Sequence, residues 1–180
     1  MSENKANDTV SQKTAPILDL DLGPKTRTFK GFLAILISLI AIAASLFHLY
    51  TAQFGAFFAL IQRDIHWLFM SVLIFLLYPA SKRSVRDRLP WYDVICIAAT
   101  LIAGLYILID MNNIVTRAGD PTATDVVLGI ITVLLVLEAG RRTIGPALPI
   151  VAVAAVLYAY FGRYMPGLMA HKGYSIRRIF

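Results

Sequence analysis

Five apolar stretches, each fenced by charges or by Pro and Gly, fill most of the chain between Phe32 and Phe161. A chain of 180 residues has too little interior to hide so many continuous apolar faces from water, and 58% of its residues are hydrophobic. The lipid bilayer is therefore the solvent that these stretches imply. The expected fold class is all-α: a polytopic transmembrane helical bundle of about five spans with a cytoplasmic N terminus.

Each stretch can be tested against the roughly 20 apolar residues that a spanning helix needs. The first, Phe32 to about Tyr50, carries no Asp, Glu, Lys or Arg. The second, Ile65 to Ala80, is shorter; Arg63 and Asp64 are expected to reach back to one interface, and Tyr78 and Pro79 mark the other. The third begins at Pro90, shows Trp91 and Tyr92 at headgroup depth, and stays apolar from Val94 to Ile109. Asp93 falls in its positive first turn and Asp110 near its exit. In the fourth only Val126 to Leu137 is uncharged, about 18 Å of helix against a hydrocarbon core of roughly 30 Å. Asp120 as N-cap and Pro121 at the first helical position extend it to a helix from Pro121 to about Gly140. The fifth runs from Thr143 to Gly162, with Pro146 and Pro149 delaying the regular helix to near Pro146 or later.

The connections set an orientation. Lys25, Arg27 and Lys30 precede the first span, Lys82, Arg83, Arg86 and Arg88 against Asp87 fill the second connection, and Arg141 and Arg142 lie in the fourth. Basic excess marks these places as cytoplasmic. The other connections pair Arg63 with Asp64, and Arg117 with Asp110 and Asp120, and suit the outer side. Five spans then put the tail outside, although it holds Arg163, Lys172, Arg177 and Arg178. The net charge of +6 is mostly this topology signal, and no nucleic-acid partner is expected.

Residues 1–30 read as a disordered cytoplasmic arm, polar and mixed in charge up to Thr14. Residues 31–142 form a four-span region, and 143–180 the fifth span with the start of a further region. Small residues at helical spacing, Ala34, Ser38, Ala41 and Ser45 with His48 continuing the stripe, predict a packing face on the first span. Ala99 with Ala103, Thr100 with Gly104, and Ala155 with Ala159 repeat that spacing, each as readily by composition as by design.

Ionisable groups at membrane depth are the natural functional candidates. Asp93, Asp110, Asp125 and Glu138 all fall at helix ends, so interfacial or capping roles are expected of them. Glu138 is three and four residues from Arg141 and Arg142, which predicts a boundary ion pair, with lipid phosphate contact as the sharper alternative. His48 is expected to hydrogen-bond a neighbouring helix. His66 and His171 lack a second ligand at metal spacing within their helices, and Cys96 stands alone, so no metal site is expected. No phosphate-binding Gly-rich loop, G-x-S-x-G elbow or H-E-x-x-H motif occurs. Neither an enzyme nor a cofactor is expected, and no catalytic or substrate-binding residue is assigned.

Several segments occur in a suggestive order. Gln62-Arg63-Asp64-Ile65-His66 precedes a span ending Leu76-Leu77-Tyr78-Pro79; Arg117-Ala118-Gly119-Asp120-Pro121 and Asp125 follow. Then come Leu137-Glu138-Ala139-Gly140-Arg141-Arg142-Thr143-Ile144-Gly145 and Tyr160-Phe161-Gly162-Arg163-Tyr164-Met165-Pro166-Gly167, leading to His171-Lys172-Gly173-Tyr174-Ser175. Over roughly Gln62 to Phe180 the chain resembles the N-terminal part of the fused permease subunits of tripartite ATP-independent periplasmic (TRAP) transporters. The run from Leu137 to Gly145 is the most specific piece. The resemblance implies a membrane component of a secondary, ion-gradient-driven transporter of organic acids in the bacterial inner membrane. Its implied partners are a large permease region, a periplasmic solute-binding protein and membrane lipids. In such permeases a small four-helix scaffold precedes a much larger part that moves and holds the substrate and cation sites. The first four spans resemble the scaffold and the fifth the start of the larger part. The chain ends at Phe180, before the family's transport motifs, so a fragment or split product is one expectation. A free-standing membrane adaptor or assembly protein is the alternative; a lipid-modifying enzyme using Arg141 and Arg142 is disfavoured, because no nucleophile with a paired base is visible.

Overall fold

A computed structural model of the chain describes residues 26–81, 84, 88–167 and 170–179, without the Arg177 side chain. The disorder expected of residues 1–25 lies outside the described residues. Five long helices occur in order: α1 (Phe32–Phe54), α2 (Ala59–Leu77), α3 (Trp91–Thr116), α4 (Ala123–Thr143) and α5 (Ala147–Phe161). A 3-10 turn (Gly162–Tyr164) extends α5, and a single turn, α6 (Ile176–Ile179), follows. Among the described residues there is no strand. The five long helices, the last counted with its 3-10 extension, are long and apolar enough to cross a bilayer, which makes the chain an all-α, multi-pass membrane protein.

The helices overrun the apolar stretches at the ends away from the basic connections. α1 continues to Phe54 and α2 starts at Ala59, so Gln62, Arg63 and Asp64 are helical and the connection shrinks to residues 55–58. Arg63 and Asp64 therefore do not both reach back to water: Arg63 is exposed, whereas Asp64 is only 5% exposed. α4 starts two residues later than expected. Its N-cap is Thr122, whose hydroxyl accepts from the Asp125 backbone N–H (3.2 Å) while the Asp125 carboxylate accepts from the Thr122 backbone N–H (2.7 Å). This reciprocal capping box satisfies two orphan donors at once, which a lone Asp120 cap would not.

Packing centres on α2 and α3, which share the most extensive helix contact. Phe75 of α2 with Leu135 and Ala139 of α4 makes the buried core, flanked by Trp67, Cys96, Ile97 and Ala99. The small residues of α3 meet α2: Thr100, Ala103 and Gly104 are buried, and a Cβ on Gly104 would lie 2.4 Å from Leu68 Cδ2. Of the two α3 pairs that composition alone could explain, both therefore lie at a seam where backbones approach. Ala155 is exposed and Ala159 half-buried on α5, a helix that buries no residue.

On α1 the inward face runs through Ile37, Ala44 and Thr51. Ala34, Ala41 and His48 lie half-buried on its margin, while Ser38 and Ser45 are exposed, each hydroxyl donating to the carbonyl four residues back (2.9 Å). The stripe is thus tilted away from the rest of this chain. Beyond α5 the tail folds back. The His171 N–H donates to the Gly162 carbonyl (3.0 Å), Tyr174 N–H donates to the Ala159 carbonyl (2.9 Å), and the His171 ring fills the space a Gly162 side chain would need.

Candidate functional site

Two of the places that basic charge marked as lying on one side, around Arg27 and around Arg141 and Arg142, meet at one end of the bundle, where Ala80 and Ser84 of the α2–α3 connection also lie. Asp93, in the first turn of α3, is fully buried, and its two carboxylate oxygens accept from different guanidinium groups. Oδ2 accepts from Arg27, which precedes α1, at 2.5 Å; Oδ1 accepts from Arg142, in the last turn of α4, at 2.6 Å. Arg142 Nε donates in turn to Glu138 (2.7 Å), which is also gripped by Arg141 through Nε (2.7 Å) and Nη2 (2.8 Å). Both the i,i+3 and the i,i+4 pairings of Glu138 are therefore formed.

The same arginines finish the end of α2. Its last carbonyls have no partners within the helix. Arg27 donates to the carbonyls of Phe75 (3.2 Å) and Leu76 (3.4 Å), Arg142 to Tyr78 (3.2 Å), and Arg141 to Ala80 (2.8 Å). The Arg27 backbone N–H adds a bond to Leu77 (2.7 Å), and Arg142 lies over the Phe75 ring at 4.9 Å. Positive charge at a helix C-terminus is favoured by the helix dipole, so each guanidinium serves a carboxylate and a helix end together. Tyr92 and Ser84 extend the network through their hydroxyls (2.6 Å), with Ser84 in reach of Arg27.

Asp93 was expected to sit at headgroup water as an interfacial or capping residue. The structure corrects that: it makes no cap bond and is shut away from solvent between two arginines. Residues 26–30, assigned to the arm, include Arg27 at 3% exposure, pinned to α2 and α3. The sequence signal that could have found this pairing is a first-turn Asp facing three basic clusters on the same side.

The opposite end holds a second, wetter web. Arg117 Nη2 bridges Asp110 (2.7 Å) and Asp125 (3.1 Å), Tyr106 donates to Asp125 (2.5 Å), and Asn113 donates to Asp110 (2.6 Å). These side chains keep 15 to 28% exposure at the three ion-pairing residues. The hydrogen bond to Asp110, then that to Asp125, raises Arg117 above its ordinary value. Asp125 thus takes the capping role expected of it, and Asp110 pairs across the connection.

Between α1 and α2 the His48 Nε2 and His66 Nδ1 atoms are 2.7 Å apart, with His48 Nδ1 at 2.6 Å from the Ala44 carbonyl. The neighbouring-helix partner expected of His48 is therefore a second histidine, which spacing within one helix could not reveal. Gln62 donates to Thr51 in the same layer (3.1 Å). Among the described residues no group of three or more His, Cys, Asp or Glu is placed to hold a metal ion.

Set beside protein families, characterised proteins and solved structures, the chain matches none.

Proposed function

We infer that the chain is the scaffold portion of a TRAP-type permease, a membrane component of a secondary transporter for organic acids in the bacterial inner membrane, with its N terminus and the Asp93 web on the cytoplasmic side. The observation that carries this inference is the division of labour among the helices. α3 and α4 are tied to each other at both ends by ion pairs, and α2 is held to them at one end by hydrogen bonds from Arg27, Arg141 and Arg142 to its closing carbonyls, whereas α1 and α5 present broad apolar faces, from Ile35 and Leu39 on one to Ile150 and Val151 on the other. A braced trio with apolar flanks suits a fixed support for a moving neighbour. The order of segments from Gln62 to Ser175 supplies the family, and the basic excess around Arg27 and Arg142 supplies the orientation. The large permease region and a periplasmic solute-binding protein are the partners, and no catalytic chemistry is assigned.

The test is reconstitution. Expressed with a large TRAP permease subunit and its binding protein, the chain is expected to co-purify with that subunit and to support gradient-driven uptake of an organic acid. Ser45→Leu, on the exposed part of the α1 stripe, is expected to weaken co-purification. Glu138→Gln is expected to leave uptake largely intact, since Arg142 keeps Asp93. Absence of any association with the large subunit would favour a free-standing adaptor instead.

A further inference from the structure

Where α4 and α5 part, an open groove of about 500 Å³ runs from Glu138 and Arg141 towards the other ends of both helices. Its volume falls within the roughly 300–1,000 Å³ of small-molecule sites. Leu134 and Leu137 of α4 line one wall, Ile150, Val153 and Leu157 of α5 the other, and Arg141 stands at the mouth. From Pro149 to Leu157 the wall covers about 12 Å of helix, close to the roughly 15 Å depth of one leaflet's hydrocarbon. The polar end and the apolar run are therefore arranged along the helix axes as the headgroup and acyl chain of a lipid are arranged along the membrane normal.

We propose that this groove is a binding site for an anionic glycerophospholipid, with the phosphate on Arg141 and one acyl chain between α4 and α5. Charge favours that occupant. Among the described residues, three guanidinium groups, Arg27, Arg141 and Arg142, meet two carboxylates, Asp93 and Glu138, which leaves these five groups one positive charge in excess. Arg27 and Arg142 are sealed inside, whereas Arg141 has a side chain 42% exposed, and the excess is available to an outside anion there. The bonds of Arg141 to Glu138 and Ala80 use Nε and Nη2, leaving Nη1 for a phosphate oxygen. Glu138 does not repel the headgroup, because two arginines already neutralise it. The connection between α2 and α3, whose ends border the web, adds Lys82, Arg83, Arg86 and Arg88 against Asp87 in sequence, a composition that attracts anionic headgroups. The proposal stands on the groove and its charges and is independent of the transporter assignment.

The experiment is a lipid titration of the full chain, delipidated in detergent and followed by native mass spectrometry. Phosphatidylglycerol is expected to bind with one tightly held copy and to be preferred over phosphatidylcholine. Arg141→Gln is expected to weaken phosphatidylglycerol about fivefold, the effect of one basic group near a headgroup. Ala154→Trp fills the groove without touching the ion web and is expected to remove the tight copy while the thermal unfolding midpoint stays close to that of the parent chain. Unchanged binding in the folded Ala154→Trp protein would overturn the proposal, as would an equal affinity for the two lipids that Arg141→Gln leaves unaltered. Displacement of the lipid by millimolar inorganic phosphate would also overturn it, showing a free-anion site.

Discussion

The two charge webs of this bundle use the same residue types and differ in solvent access. At the Arg27 end, Asp93 and its two arginines are sealed, with at most 1% of any of the three side chains exposed. At the Arg117 end, the corresponding side chains keep contact with water. A buried carboxylate between two guanidiniums cannot lose a partner without leaving an unpaired charge in a medium that solvates it poorly, whereas a half-exposed pair falls back on water. The sealed web therefore binds three elements, α2, α3 and α4, into one unit, and the open web mainly shapes the short connection between α3 and α4.

The sharpest way to break this contrast is Asp93→Asn, which leaves Arg27 and Arg142 facing each other. It is expected to cost about 3–5 kcal/mol of folding stability, read from thermal or denaturant unfolding in detergent. A loss below about 1 kcal/mol would place both webs in the same class. Combining Asp93→Leu with Arg27→Met and Arg142→Met removes all three charges and is expected to recover a good part of the loss, though not the α2 carbonyl bonds. Next in size is the seam that holds the two ends at a fixed separation. Gly104→Ala drives a methyl into Leu68 and is expected to cost about 1–3 kcal/mol, with Leu68→Ala in the same chain reducing that penalty. At the wet end, Thr122→Ala deletes the α4 cap and is expected to cost about 1 kcal/mol in the same measurement. Arg117→Gln should have the smallest effect, and the difference from the parent chain should shrink in about 1 M salt, where the screening length falls to about 3 Å. An Arg117 effect larger than that of Asp93, or one indifferent to salt, would reverse the comparison.

Much of the architecture was legible because it rests on local sums. Apolar length and flanking Pro and charge foretold all five helices, and the Glu138 pairings followed from three- and four-residue spacing on one helix. Boundaries were less legible. Thr122 displaced Asp120 as cap because the box with Asp125 satisfies donors in both directions, and Arg63–Asp64 joined α2 because charged residues can continue a helix as well as end one. On the α1 stripe, spacing gave the row of small residues but not which way it faces: Ser38 and Ser45 bond their own helix and point away from α2.

The amino-acid sequence by itself determined that this polypeptide lives in lipid, as about five apolar helices with basic connections, because burial of apolar length in a bilayer depends on each segment alone. Only the tertiary structure decided that Arg27 would meet Asp93 across 66 residues and Arg142 across 49. No local preference encodes such a pairing. It arises where the packing of α2, α3 and α4 brings the three charges into one enclosed space, and there a carboxylate is stable only if both guanidiniums stay with it.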